Sequence, residues 1–160
     1  MELCQGEHSN AGTLVTITKV DSSKLRILVI DDSQFVRKLV EEVLRSFGVG
    51  RVISAESADE GFAQIERHSP HVIICDWQMY PVDGITFLRR LRQDPAGRYR
   101  SVPFIMLTGQ SGNDDVSAAI REGADSYIVK PVSAQTLMNH LLKVIIADKN
   151  KMGDRKTWAV

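Results

Sequence analysis

The sequence predicts an α/β domain with a doubly wound parallel sheet. Three observations carry this. Five short apolar runs alternate strictly with five longer stretches of helical period between residues 25 and 147. The first and third runs lack polar alternation, which suits strands covered on both faces. Four of the five runs stop at a polar residue, the place where open parallel sheets put their ligands.

The first run is Leu25-Arg26-Ile27-Leu28-Val29-Ile30, and it stops at Asp31-Asp32-Ser33, whose polar side chains suit a helix cap. Val36, Leu39, Val40, Val43, Leu44 and Phe47 then follow at helical spacing, with Gly48 as the stop. Arg51-Val52-Ile53-Ser54 is short and half polar, like an edge strand, and Ala58, Phe62 and Ile65 mark a second helix. Val72-Ile73-Ile74-Cys75 is a buried strand ended by Asp76, followed by a helix carrying Ile85, Leu88 and Leu91. Pro103 leads into Phe104-Ile105-Met106-Leu107, which ends at Thr108-Gly109, and Val116, Ala119 and Ile120 give a weak fourth helix. Gly123-Ala124-Asp125 reads as a turn before Ser126-Tyr127-Ile128-Val129, which ends at Lys130-Pro131. Leu137, Leu141, Val144 and Ile145 form the last helix.

Both ends fall outside the pattern. Residues 1–23 form an N-terminal extension in which Thr13-Leu14-Val15-Thr16-Ile17-Thr18 has strong strand propensity, so it reads as an extra edge strand or a loose arm. Residues 24–147 are the domain, and residues 148–160 read as a short, solvated polar tail.

Bulk properties exclude several function classes. Apolar residues are 43% and charged residues 25% of the chain, the mix of an ordinary globular protein. Net charge is zero, so no global field draws nucleic acid or anionic lipid, and neither is expected as a partner. No apolar run approaches the roughly 20 residues that span a bilayer, and the N-terminus lacks a signal-peptide pattern. The default location is cytoplasmic. Two cysteines, Cys4 and Cys75, make no disulfide framework, and the four histidines make no metal set.

The chemistry lies at the strand ends: Asp31, Asp32, Asp76, Thr108 and Lys130. If the first and third strands are neighbours, three carboxylates converge, and like charges so close raise one another's proton affinity unless something offsets them. A hard divalent cation such as Mg²⁺ removes the conflict. Thr108 supplies a hydroxyl, and Lys130 is a point-charge donor able to pair with a carboxylate or a phosphoryl oxygen. Such a set around one carboxylate suits nucleophilic attack on phosphorus, with aspartyl phosphate as product. Each residue alone has a plainer reading: a cap, a strand-ending Asp, a turn, a solvated lysine.

Together these residues resemble the response-regulator receiver domains, in particular single-domain, CheY-like members. The resemblance rests on Asp31-Asp32 after ILVI, Asp76 after VIIC, Asp83-Gly84, Thr108-Gly109 after FIML, and Tyr127-Ile128-Val129-Lys130-Pro131. It implies a flavodoxin-like fold with strand order 2-1-3-4-5 and a two-component switch. It implies that Asp76 is the phosphoacceptor, and that Asp31, Asp32, Asp76 and the Gln78 main-chain carbonyl hold Mg²⁺ or Mn²⁺. It further implies that Thr108 and Tyr127 act as a switch pair, that Lys130 pairs with phosphate, and that Lys130-Pro131 is cis. A sensor histidine kinase or a histidine phosphotransfer protein is the implied donor, and a downstream protein the implied target, read through the fourth helix, fifth strand and fifth helix. A shuttle handing its phosphoryl group to another phosphotransfer protein is the alternative.

The chain departs from the family where Tyr80 separates Met79 from Pro81, which concerns loop shape. Gln78 and Gln110 stand two residues beyond Asp76 and Thr108, where the family governs the access of water. Three rival classes fit less well. A flavin or nucleotide enzyme needs a Gly/Ser/Thr-rich phosphate cradle where Asp31-Asp32 stands. A dehalogenase-like phosphatase needs a second acid at position 33, which is Ser. A phosphorylation-independent interaction module does not need the full residue set.

Overall fold

The computed structural model describes residues 21–109 and 112–152, with side chains as far as Asp148. Expectations that fall on Cys4, on residues 13–18, on Gln110 and on residues 153–160 lie outside these. Five strands, β1 (Arg26–Ile30), β2 (Arg51–Ala55), β3 (Val72–Asp76), β4 (Phe104–Thr108) and β5 (Ser126–Val129), form one sheet. All neighbours are parallel, in the order β2-β1-β3-β4-β5. The β1–β3 register pairs Ile30 with Cys75, so the residues that follow each, Asp31 and Asp76, emerge side by side.

The pleat divides the core in two. Ile27, Val29, Val72, Ile74, Ile105, Leu107 and Ile128 face one side. There they meet α1 (Gln34–Ser46) and α5 (Ala134–Met152) through Val40, Leu44, Leu137 and Leu141. Leu28, Ile30, Ile73, Cys75, Phe104 and Met106 face the other side. There they meet α2 (Ala58–His68), α3 (Gly84–Arg92) and α4 (Asn113–Arg121). Each large buried side chain contributes roughly 1.5–3 kcal/mol by leaving water.

Helix starts are fixed by local chemistry. Ser33 caps α1 by accepting from the Val36 N–H, and Asp83 caps α3 by accepting from the Thr86 N–H at 2.8 Å. Ser57 caps α2 by accepting from the Glu60 N–H, and the Glu60 carboxylate accepts from the Glu56 N–H just before the cap. At the end of the sheet away from Asp31 and Asp76, Arg92 ties two loops together, the one before β4 and the one before β5. Its guanidinium donates to the carbonyls of Gly123, Arg100 and Val102 and to the Asp125 carboxylate at 2.7–3.1 Å.

One boundary differs from the sequence reading. Residues 148–152, read as the start of a polar tail, are helix: α5 runs to Met152 and Asp148 is buried. Lysine, the residue type at 149 and 151, is a good helix former, so polarity alone did not end the helix.

Candidate functional site

The site is assembled from the C-terminal ends of four adjacent strands. Asp31 directly follows β1 and is fully buried, Asp76 ends β3 at 3% exposure, and Thr108 ends β4 at 2%. Asp32 is exposed. One oxygen of each carboxylate of Asp31, Asp32 and Asp76 lies within 4.8 Å of the others. The Lys130 ammonium, from the segment after β5, stands 3.0 Å from Asp31 Oδ2 and 3.0 Å from Asp76 Oδ1.

Main-chain bonds hold these groups in place. The Lys130 N–H donates to the Thr108 carbonyl at 2.7 Å, and the Trp77 N–H to the Leu107 carbonyl at 2.8 Å. These extend the sheet ladder into the site. Asp31 Oδ1 accepts from the Ser33 N–H at 2.8 Å, and Arg37 donates to the Asp31 carbonyl. The Gln78 N–H donates to the Asp76 carboxylate. The Lys130–Pro131 and Tyr80–Pro81 peptide bonds are both cis.

The electrostatics are unbalanced. Burial, with Asp31 adding to it, raises the Asp76 carboxyl above its ordinary value, although Lys130 and the Gln78 amide pull the other way. Burial opposes the charge on Lys130, yet its bonds to Asp76 and Asp31 hold its ammonium above the ordinary value. A single cation is shared between two acids. Three carboxylates against one ammonium leave a formal charge of −2. An all-oxygen set with that excess fits a hard divalent cation such as Mg²⁺. Burial also pushes the Cys75 thiol well up, with Asp76 and Asp31 adding to it, so Cys75 is an inert core residue.

Asp31, Asp32, Asp76, Lys130 and Thr108 are thus gathered at one edge of the sheet. Tyr127 lies on β5, half-buried and packed against the α2–α4 side of the sheet, the side to which the pleat also assigns Thr108. The Gln78 side chain is exposed. One contributor, Arg37, was not singled out from the sequence; it carries no local signal, because its bond runs to a backbone carbonyl. Gly84 was, through the Asp83-Gly84 pair. A Cβ there would stand 2.2 Å from the Asp76 carbonyl oxygen, so only glycine lets α3 start against the end of β3.

Known proteins resemble this chain in sequence and in fold. The family model for the response regulator receiver domain matches residues 27–142. The chemotaxis protein CheY1 of Helicobacter pylori is 31% identical over 122 residues, covering 76% of this chain and 97% of its own. A chemotaxis protein CheY homolog of Campylobacter jejuni is 30% identical, covering 76% of this chain and 92% of its own. Among solved structures, CheY4 of Vibrio cholerae superposes with a TM-score of 0.70 at 28% identity, over 75% of this chain and 98% of that one. A putative response regulator from Chloroflexus aurantiacus gives a TM-score of 0.70 at 32% identity, over 77% of this chain and 98% of that one. With its five-stranded flavodoxin-like sheet and its acids, hydroxyl and lysine at four strand ends, this chain belongs to the response regulator receiver domain family.

Proposed function

We propose that this chain is a phosphorylation-driven switch in which Asp76 accepts a phosphoryl group from a phosphohistidine donor, a sensor histidine kinase or a histidine phosphotransfer protein. A carboxylate oxygen of Asp76 forms the new O–P bond, the donor's P–N bond breaks, and its electron pair leaves with the imidazole, which takes up a proton. Asp31, Asp32 and Asp76, with the Gln78 main-chain carbonyl, are the residues that would hold Mg²⁺ or Mn²⁺. When bound, that cation offsets the negative charge of the acids and of the incoming phosphoryl oxygens. Lys130 pairs with a phosphoryl oxygen, and the Thr108 hydroxyl donates to another. The engagement of Thr108 is then read by Tyr127 on the same side of the sheet, changing a surface that binds a downstream protein. The chemotaxis relatives support a comparable output in a cytoplasmic signalling pathway.

The observation that carries this reading is the Lys130 ammonium held 3.0 Å from both Asp31 and Asp76, in a site still short of positive charge. Acetyl phosphate with Mg²⁺ should add the mass of one phosphoryl group to the intact protein, and Asp76→Asn should abolish the gain. Trp77 adjoins the site, so its fluorescence should change with millimolar-scale Mg²⁺. Phosphorylation that persists in Asp76→Asn would overturn the assignment.

A further inference from the structure

Helix α1 buries Val40 and Leu44 and leaves a second face in water. Phe35, Lys38, Leu39, Glu42 and Ser46 are all exposed. Neighbouring residues are about 100° apart around a helix, so these five fall within about 100° of arc and form one strip. At its N-terminal end the strip borders an apolar groove of about 340 Å³, lined by Phe35, Val36, Leu39, Lys130, Pro131 and Val132. At the other end Phe47, the C-cap residue, is 41% exposed. Val36 and Phe47 are about 20° apart in helical projection, so the recess and the projecting ring share one flank of the strip. The opposite flank carries Lys38 and Glu42, one turn apart, and among the described residues neither sits in an ion pair.

This strip is its own complement. A second copy laid antiparallel, with a two-fold axis between positions 40 and 41, sets position 35 against position 46 and position 39 against position 42. Lys38 then stands within about 1.5 Å, along the helix axis, of the partner's Glu42, and its own Glu42 lies equally near the partner's Lys38. The partner's Phe47 comes level with Gln34 and Phe35, on the flank where the groove opens. Two-fold symmetry makes each of these contacts twice. The two helix dipoles also oppose each other, which favours the pairing. A parallel pair would instead set Lys38 against Lys38 and Glu42 against Glu42.

We propose that this chain self-associates through α1 as an antiparallel pair, in which Phe47 of each copy enters the groove of the other and Lys38 pairs with Glu42 across the axis. The self-complementary order of charges, and the recess and ring at opposite ends of one flank, single out a second copy as the occupant. One helix face per copy belongs to the interface class below about 1,200 Å² in total, so the pair is transient and concentration-driven. The interface borders the strand-end site without entering it, since Lys130 is one wall of the groove.

Sedimentation of the full-length chain tests this without any phosphodonor. Raising the concentration from the micromolar to the millimolar range should convert monomer to dimer, and NMR shifts over the same range should centre on α1 and residues 130–132. Lys38→Glu alone and Glu42→Lys alone should each weaken the dimer about tenfold or more, because each sets like charges together twice. An equal mixture of these two variants should associate again, as a heterodimer. The double variant, Lys38→Glu with Glu42→Lys, keeps the net charge of the chain and should also dimerise, which a parallel pair would not. Leu39→Asp should abolish association. All these positions are exposed, so urea midpoints should stay at the wild-type value and report that the variants fold. A chain that remains monomeric at millimolar concentration overturns the proposal. So does a dimer that survives either single charge reversal, that the double variant fails to restore, or whose shifts centre on another face.

Discussion

Gly84→Ala adds one methyl group where α3 starts against the end of β3. The new Cβ would sit 2.2 Å from the Asp76 carbonyl oxygen and 3.0 Å from the Asp76 carbonyl carbon, both main-chain atoms that no rotamer change can move. Restoring a contact needs the backbone to part by nearly 1 Å, and overpacking of this kind costs about 1–3 kcal/mol. The Gly84 N–H bond to the Trp77 carbonyl, 2.8 Å long, is strained by the same movement, and its loss costs about 1 kcal/mol. Replacing glycine restricts the unfolded chain and returns about 0.4–1 kcal/mol. The net loss is therefore about 2 kcal/mol, which lowers a urea midpoint by roughly 1 M. Asp76 moves with its carbonyl, so acetyl phosphate labelling should slow by up to about a hundredfold. Gly109→Ala is the matched control, because nothing stands within 4 Å of its Cβ and its φ is not positive. Its midpoint should hold or rise slightly. A Gly84→Ala protein that unfolds at the wild-type midpoint and labels at the wild-type rate would refute the claim that this contact positions Asp76.

Three further outcomes are expected. Lys130→Met leaves buried Asp31 and Asp76 without their cation and should lower stability by about 3 kcal/mol near neutral pH. Because the Asp76 carboxyl is already raised by burial, folding favours its protonated form, so stability falls as pH rises through that window; the Lys130→Met deficit should shrink in mild acid, and urea midpoints that show an equal deficit at both pH values would contradict this. Arg92→Met removes a guanidinium with only 17% of its side chain exposed that holds three loop carbonyls, and should cost about 2–4 kcal/mol in a thermal or urea melt while leaving acetyl phosphate labelling of Asp76 unchanged. His71, whose Nδ1 accepts the Arg26 N–H, is lowered by burial and by Arg26 to about 4, so its ring proton should titrate there by NMR. The unfolded chain binds the extra proton first, so stability drops as pH falls from about 6.5 towards 4; screening of this half-exposed ring reduces the full conversion of roughly 3 kcal/mol to about 1 kcal/mol, and a slope that survives His71→Gln would assign it elsewhere.

The sheet was legible because Ile27 to Ile30, Val72 to Cys75 and Phe104 to Leu107 are apolar without interruption, a pattern few other arrangements tolerate. The site was legible because Asp31, Asp76, Thr108 and Lys130 each end such a run, and strand ends are where parallel sheets place chemistry. What escaped notice depends on contacts remote in sequence. Arg37 reaches a carbonyl six residues back, Arg92 reaches loops that follow it by as many as 33 residues, and nothing nearby betrays either. The end of α5 was misplaced because Lys149 and Lys151 look like solvent-facing tail but serve a helix equally well.

The alternation of side chains along the strands makes the sheet a partition. Thr108 and Tyr127 belong to the layer that also holds Phe87, Phe104 and Met106, whereas Val40, Leu44 and Leu137 belong to the layer behind it. A rearrangement begun at Thr108 meets close-packed neighbours on its own side first, and those neighbours lead towards α3 and α4. Inserting one residue into β4 upstream of Thr108 would exchange the sides, and with them the audience of any message that starts there.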